Sequence, residues 1–164
     1  MRFKYAANIK PLVPAAEDAL DHVLEKCDLA GALVTSTVRT PEDQARIMYD
    51  NLETHGVIAQ RKLYKPAGGG VIIDVYEHQK AMGAMPVDVK HAMAQKVIEL
   101  GPEHVSAHCT ADPNKSVFDV APSSIPDERM KMFVNQVSVM PGLIKFLRPP
   151  VDPAFHIELK TINA

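Results

Sequence analysis

The chain has 164 residues, of which 46% are hydrophobic and 23% charged, and its net charge is −2 at pH 7. This balance predicts a single globular domain over residues 1–164, with enough apolar side chains for a core. A nearly neutral chain without a block of lysines and arginines argues against nucleic acid or an anionic membrane surface as the main partner. The sequence contains no apolar run of about 18 residues, so it predicts no membrane-spanning helix. Residues 1–8 lack the apolar core of a signal peptide, so we expect synthesis in the cytoplasm.

Hydrophobic spacing and helix-start signals divide the chain into helices and short strands. The predicted helices cover residues 14–27, 41–52, 87–100 and 126–138, and the predicted strands cover residues 32–38, 104–108, 117–120 and 155–160. Helices cluster in the first part and strands in the second, which predicts an α+β fold. The glycine-rich run at 65–70 predicts a flexible loop, residues 71–82 fit either a strand or a helix, and the prolines between 141 and 153 predict a loop.

A sharp strand-to-helix junction is predicted around Arg39. Thr40 is a favoured N-cap residue, Pro41 suits the first helical position, and Asp43 lies where the acid of a capping box would be. Arg39 is therefore held immediately before a helix, where its side chain can be directed at a ligand.

Three residues in predicted strands suggest a metal site. His108 ends one strand, and Asp119 lies within the apolar run Val117–Val120, where an unpaired acid would be costly to bury. A hairpin or side-by-side packing of these strands would bring His108 and Asp119 together, and His156 in the last strand is the obvious third ligand. Two imidazoles and a carboxylate are a ligand set typical of a catalytic zinc site.

Each of these residues also has a simpler interpretation. His108 and His156 could be core histidines with satisfied hydrogen bonds, and Asp119 could cap a turn. Cys109 next to His108 could indicate a Cys/His nucleophile. However, neighbours on a strand point to opposite faces, which favours a buried cysteine with no catalytic role.

The ordered combination resembles a known family. Ser106-x-His108, Asp119 and His156, together with the segment Thr35–Gln44, are similar to the zinc D-Ala-D-Ala carboxypeptidase and L-alanyl-D-glutamate endopeptidase family, which includes dipeptidases and phage endolysins. The resemblance covers about residues 33–159. The spacing from His108 to Asp119 is longer than is usual in the family because Asp-Pro-Asn-Lys is inserted, so Asp112 is a rival ligand.

The resemblance implies a Hedgehog/DD-peptidase-like fold: a small antiparallel sheet carrying a zinc site, with helices packed on one side. It implies Zn²⁺ bound by His108, Asp119 and His156, with Arg39 stabilising the oxyanion or holding a substrate carboxylate. Gln44 and Ser106 would hydrogen-bond the peptide. The family usually places its general base just before the last ligand, and here both Asp152 and Glu158 are candidates.

These features predict a zinc metallopeptidase that hydrolyses the stem peptide of bacterial peptidoglycan. We expect either a phage lysis protein that acts on the cell wall or a related carboxypeptidase. The alternative is a non-catalytic phage or wall-binding protein that retains the fold. A Cys/His hydrolase that uses Cys109 is a third hypothesis.

Overall fold

The computed structural model describes residues 1–161 of the chain, and these residues contain seven α-helices and five β-strands. The helices are α1 (Pro14–Lys26), α2 (Pro41–His55), α3 (Val57–Leu63), α4 (Gly69–Ala81), α5 (Pro86–Leu100), α6 (Pro102–Val105) and α7 (Asp127–Ser138). The strands are β1 (Lys4–Tyr5), β2 (Leu33–Ser36), β3 (Lys115–Val120), β4 (Leu143–Leu147) and β5 (Phe155–Lys160). The α+β class is therefore confirmed.

The chain forms two compact units. One comprises Met1–Val38 and the chain from Asp112 onward, and the other comprises Arg39–Ala111. The first unit contains all five strands with α1 and α7, whereas the second contains only helices. No helix within residues 1–161 has both the length and the apolar character that crossing a membrane requires.

The first unit is built on a mixed sheet with the strand order β1-β2-β3-β5-β4. The prediction of an antiparallel sheet is wrong at one edge, because β1 and β2 run parallel while the other three pairs are antiparallel. β1 has only two residues and carries no alternating pattern that could have been recognised in the sequence.

The two faces of this sheet differ in chemistry. Phe118 and Ile157 are partners on β3 and β5, and both belong to an apolar core that includes residues of α1 and α7. Because side chains alternate along a strand, their neighbours Asp119 and His156 lie on the opposite face, where they are also partners in the register. Within this unit the helices therefore pack on one face, and the polar pair lies on the other.

The second unit is a helical cluster. The apolar faces of α2 and α5 are buried, with Met48 and Met93 both fully inaccessible, and α4 contributes Ile72 and Ile73 to the same core. Thr40 caps α2 as predicted, because its side-chain oxygen accepts a hydrogen bond from the backbone N–H of Asp43 at 3.1 Å.

The loop predicted over residues 65–70 is wrong in its second half. Gly69 and Gly70 open α4, which also settles the ambiguous segment 71–82 as helix. The glycines permit close packing: a Cβ at Gly69 would overlap the ring of Tyr64, and one at Gly68 would overlap the carbonyl oxygen of His104. The glycines thus allow the ring of Tyr64 and the carbonyl oxygen of His104 to pack closely against this segment. Gly69 and Gly70 belong to a helix and not to the predicted flexible loop.

The strand predicted over residues 104–108 is also wrong. Pro102 starts the short helix α6 after Gly101, whose φ of 88° ends α5, and residues Ala107–Cys109 form a 3-10 helix. The segment is too short to show a helical repeat, and its valine and histidines resemble strand residues. β4 was missed because prolines flank it closely on both sides.

Candidate metal site

The centre of the candidate site is the pair formed by His156 and Asp119. Nδ1 of His156 lies 2.9 Å from Oδ1 of Asp119, across the antiparallel pairing of β3 and β5. His156 is buried and Asp119 is partly buried. The register brings the two predicted ligands together.

His108 is presented by the 3-10 helix that replaces the predicted strand. Oγ of Ser106 accepts a hydrogen bond from the backbone N–H of His108 at 3.3 Å, and the carbonyl oxygen of His108 accepts one from the N–H of Arg39 at 2.8 Å. The backbone of His108 is therefore fixed on both sides. Ser106, predicted to bind substrate, makes a structural contact here through its hydroxyl oxygen.

Asp119 and His156 supply two of the three predicted ligands from neighbouring strands of one unit, whereas His108 belongs to the other compact unit. These three residues are the candidate metal group. Two imidazoles and a carboxylate are donors that fit zinc.

Glu158 extends this polar face of the sheet. It follows His156 by two residues on β5, so both side chains lie on the same face, as predicted. Oε1 of Glu158 lies 3.2 Å from Nε2 of His156, and Oε2 lies 2.6 Å from Nζ of Lys115. Both carboxylate oxygens therefore have a polar partner although the residue is only 5% exposed.

Burial and hydrogen bonding act against each other on these groups. Burial favours the neutral ring of His156, but the hydrogen bond and charge of Asp119, followed by the hydrogen bond to Glu158 and the charge of Asp152, outweigh it and raise the pKa of His156. Burial also opposes ionisation of Glu158, yet the hydrogen bonds from Lys115 and His156 outweigh it and lower the pKa of Glu158. The ring of His156 thus lies between two carboxylates that favour its charged form.

Asp152, the other candidate base, lies in the turn before β5. Its Oδ1 accepts a hydrogen bond from the backbone N–H of Ala154 at 2.9 Å, and its charge contributes to the raised pKa of His156. Asp152 is therefore close enough to His156 for an electrostatic effect, and it remains partly exposed to solvent.

A second polar cluster lies at the start of α2. Nη1 of Arg39 donates to Oε1 of the fully buried Gln44 at 3.0 Å, and Nε2 of Gln44 donates to the hydroxyl of Tyr64 at 3.3 Å. The resemblance implied a substrate-binding role for Arg39 and for Gln44 separately, and in the structure the two side chains are hydrogen-bonded to each other. Tyr64 was missed, and the only signal for it is its position just before the glycine run that its ring packs against.

Cys109 lies beside this cluster and is 4% exposed. Burial raises the pKa of its thiol to about 11, although the charge of Arg39 acts in the opposite direction. A thiol with such a pKa is neutral at neutral pH and is a poor nucleophile. The expectation of a buried cysteine is confirmed, although Cys109 belongs to a 3-10 helix and not to a strand.

The rival ligand Asp112 is exposed and lies in the inserted turn. Its Oδ1 accepts a hydrogen bond from the backbone N–H of Asn114 at 2.8 Å, which is a common way for aspartate to stabilise a turn. The candidate metal group contains Asp119 and not Asp112.

Comparison of the chain with protein-family models, with curated proteins and with solved structures found no match. The family resemblance therefore stays a prediction, and the class of site rests on the residues themselves: a buried histidine paired with an aspartate on the neighbouring strand, with a second carboxylate, Glu158, beside the same histidine.

Proposed function

We propose that the protein is a zinc-dependent peptidase that hydrolyses the peptide stem of bacterial peptidoglycan. The observation that carries the proposal is the buried His156, whose Nδ1 lies 2.9 Å from Oδ1 of Asp119, and His108 is the proposed third ligand. The choice of peptidoglycan rests on the resemblance to the D-Ala-D-Ala carboxypeptidase and endopeptidase family in these residues and in the Thr35–Gln44 segment.

In this proposal His108, Asp119 and His156 are the protein ligands of one zinc ion. Zinc in such a site acidifies water and polarises the scissile carbonyl group. The protein supplies a buried setting that strengthens electrostatic interactions with the substrate, and the β3–β5 register holds two of the three ligands in place.

Arg39 is proposed to bind the substrate next to the metal. Its backbone N–H is bonded to the carbonyl oxygen of the ligand His108, so the two residues move together. Gln44 accepts a hydrogen bond from one guanidinium nitrogen and thereby orients the side chain. A guanidinium held in this way suits a substrate carboxylate or a developing oxyanion, because it offers several N–H donors in a fixed plane. Gln44, predicted to hydrogen-bond the peptide, is fully buried with its amide bonded to Arg39 and Tyr64, so we propose that it acts on the substrate through Arg39.

Asp152 is the better of the two candidate bases. Glu158 uses one oxygen toward His156 and the other toward Lys115, so taking up a proton would break a buried contact. Asp152 is more exposed, and within residues 1–161 only its Oδ1 accepts a hydrogen bond, from Ala154. We propose that Asp152 accepts the proton of the attacking water and passes it to the leaving amine.

The first test is metal content measured on the purified protein. Wild-type protein reconstituted with zinc should hold about one ion per chain, as expected for a mononuclear site, and His108→Ala should hold none. His104→Ala is the matched control, because this exposed histidine on α6 lies outside the candidate group. A wild-type protein that holds no zinc after reconstitution, or a His108→Ala variant that keeps its zinc, contradicts the ligand assignment.

The second test is hydrolysis of purified peptidoglycan stem peptides by the zinc-loaded protein, with the products identified by mass spectrometry. Release of amino acids or shorter stems, abolished by His156→Ala, supports the proposal and identifies the bond. If zinc binds and the stem peptides bind without cleavage, the protein is instead a wall-binding module that retains the metal site. In the latter case Asp152→Asn should leave binding unchanged.

A further inference from the structure

The ring of His156 is held from both edges by carboxylates. Nδ1 lies 2.9 Å from Asp119 on the neighbouring strand, and Nε2 lies 3.2 Å from Glu158 on the same strand. Asp119, on the Nδ1 side, is a candidate metal ligand, whereas Glu158, on the Nε2 side, is outside the candidate metal group. The two ring nitrogens therefore have different neighbours: Nδ1 faces a candidate metal ligand, and Nε2 faces a carboxylate outside the candidate metal group.

We propose that Glu158 is a positioning residue: it accepts a hydrogen bond from Nε2–H of His156 and so leaves Nδ1 as the nitrogen that binds the metal. The inference rests on the proposed metal site, and it replaces the role of general base that the sequence allowed for Glu158. Metal-binding histidines commonly donate their second N–H to a carboxylate, which fixes the ring and the protonated nitrogen.

The sequence places Glu158 well for this task. Residues separated by two positions on a strand share a face, so Glu158 follows His156 along β5 without any special loop geometry. His156 is nearly enclosed, with 8% of its side chain exposed, so water has little access to compete for Nε2. The carboxylate is thus the acceptor that this nitrogen meets in the folded chain.

Lys115 keeps the carboxylate of Glu158 in place. Its Nζ lies 2.6 Å from Oε2, and its side chain is 25% exposed, so the ion pair is largely shielded from solvent. Lys115 and Asp119 both lie on β3. This strand therefore supplies a candidate metal ligand and also the cation that orients Glu158, the residue that supports His156. Lys145 on β4 is farther away, 4.0 Å from Oε1, and 52% exposed.

The arrangement predicts how the proton on His156 is placed once metal is bound. Metal binding at Nδ1 would release the proton of that nitrogen to solvent, while Nε2 would keep its proton and donate it in a hydrogen bond to Glu158. A glutamine at position 158 would still accept this hydrogen bond through its amide oxygen, whereas a leucine would not. If Glu158 were instead the general base, the glutamine variant would lose turnover, because an amide cannot take up a proton from water.

The test is a zinc titration against a chromophoric chelator with four proteins: wild type, Glu158→Gln, Glu158→Leu and Lys145→Met. We expect Glu158→Leu to weaken zinc binding about 10- to 100-fold, the range found for such partners. Glu158→Gln should stay close to wild type and should retain turnover on stem peptides. Lys145→Met is the matched control and should bind zinc like wild type.

The ¹⁵N NMR spectrum of His156 in the zinc-loaded wild-type protein gives a reading that needs no variant. A protonated Nε2 and a metal-bound Nδ1 support the proposal, and a metal-bound Nε2 overturns it. Wild-type zinc affinity in Glu158→Leu also overturns it while leaving the metal site intact. A wild-type protein that binds no zinc would overturn both this inference and the proposed function.

Discussion

The substitution Gly69→Ala should destabilise the protein through the ring of Tyr64. The new methyl group would overlap this side chain, since even the Cβ of Tyr64 would be 2.8 Å away, whereas ordinary Cβ contacts lie at 3.4–4 Å. The contacts involve the base of the side chain as well as the ring, so Tyr64 cannot escape by a small rotation. The ring must move, and its hydroxyl then loses the hydrogen bond from Gln44.

Two opposing effects set the size of the change in the free energy of unfolding. Alanine in place of glycine within a helix normally stabilises by about 0.5–1 kcal/mol. Overpacking of a filled site costs about 1–3 kcal/mol, and loss of a hydrogen bond costs about 0.5–1.5 kcal/mol. We therefore expect a net destabilisation of about 0.5–4 kcal/mol, since the packing and hydrogen-bond losses exceed the helical gain.

Urea unfolding followed by far-UV circular dichroism measures this difference. Gly31→Ala is the control, because a Cβ at that position would lie 3.8 Å from the nearest atom, the carbonyl oxygen of Arg2, which is an ordinary contact. The control should match wild type or be slightly more stable. If Gly69→Ala is as stable as wild type or more so, Tyr64 is not held by the glycine, and the account of the glycine run is wrong.

Four other predictions concern the candidate metal site, Cys109 and the cap of α2. In metal-free protein the raised pKa of His156 means that its charged ring stabilises the fold fully below its ordinary pKa of 6.5; unfolding free energy should fall as pH rises through the raised value, and His156→Gln should lose this dependence. Zinc affinity should change in the opposite direction and increase with pH in chelator titrations, because the metal must displace a proton from the ring. Cys109→Ala should retain zinc and most turnover. If this variant instead loses activity while it retains zinc, a thiol nucleophile is supported. Thr40→Ala should lower the urea midpoint by an amount equivalent to about 1 kcal/mol, the usual cost of an N-cap.

Predictions from the sequence succeeded where a short pattern of residues is compatible with only one local structure. Thr40-Pro41 fixed the start of α2, and alternation in the last strand placed His156 and Glu158 on one face. The ligand group could be anticipated because an acid within the apolar run of β3 needs a partner, and β5 provides one.

Other features depended on contacts that no local pattern reveals. The segment around His108 forms short helical turns because Gly101, Pro102 and Ser106 end, start and cap them, and a few residues carry no periodic signal. Tyr64 gains its role only through the packing of its ring against Gly69. The engagement of both oxygens of Glu158 required Lys115 on another strand, which the sequence could not place.

The alternation on β3 and β5 makes correct strand pairing a condition for the metal pair. A slip of one residue would turn Asp119 or His156 toward the apolar core and expose Phe118 or Ile157 in its place. Such a misaligned chain would lose its core and its ligand pair at once. Metal capture would therefore report correct assembly of this sheet, and zinc added during refolding should select the properly registered molecules.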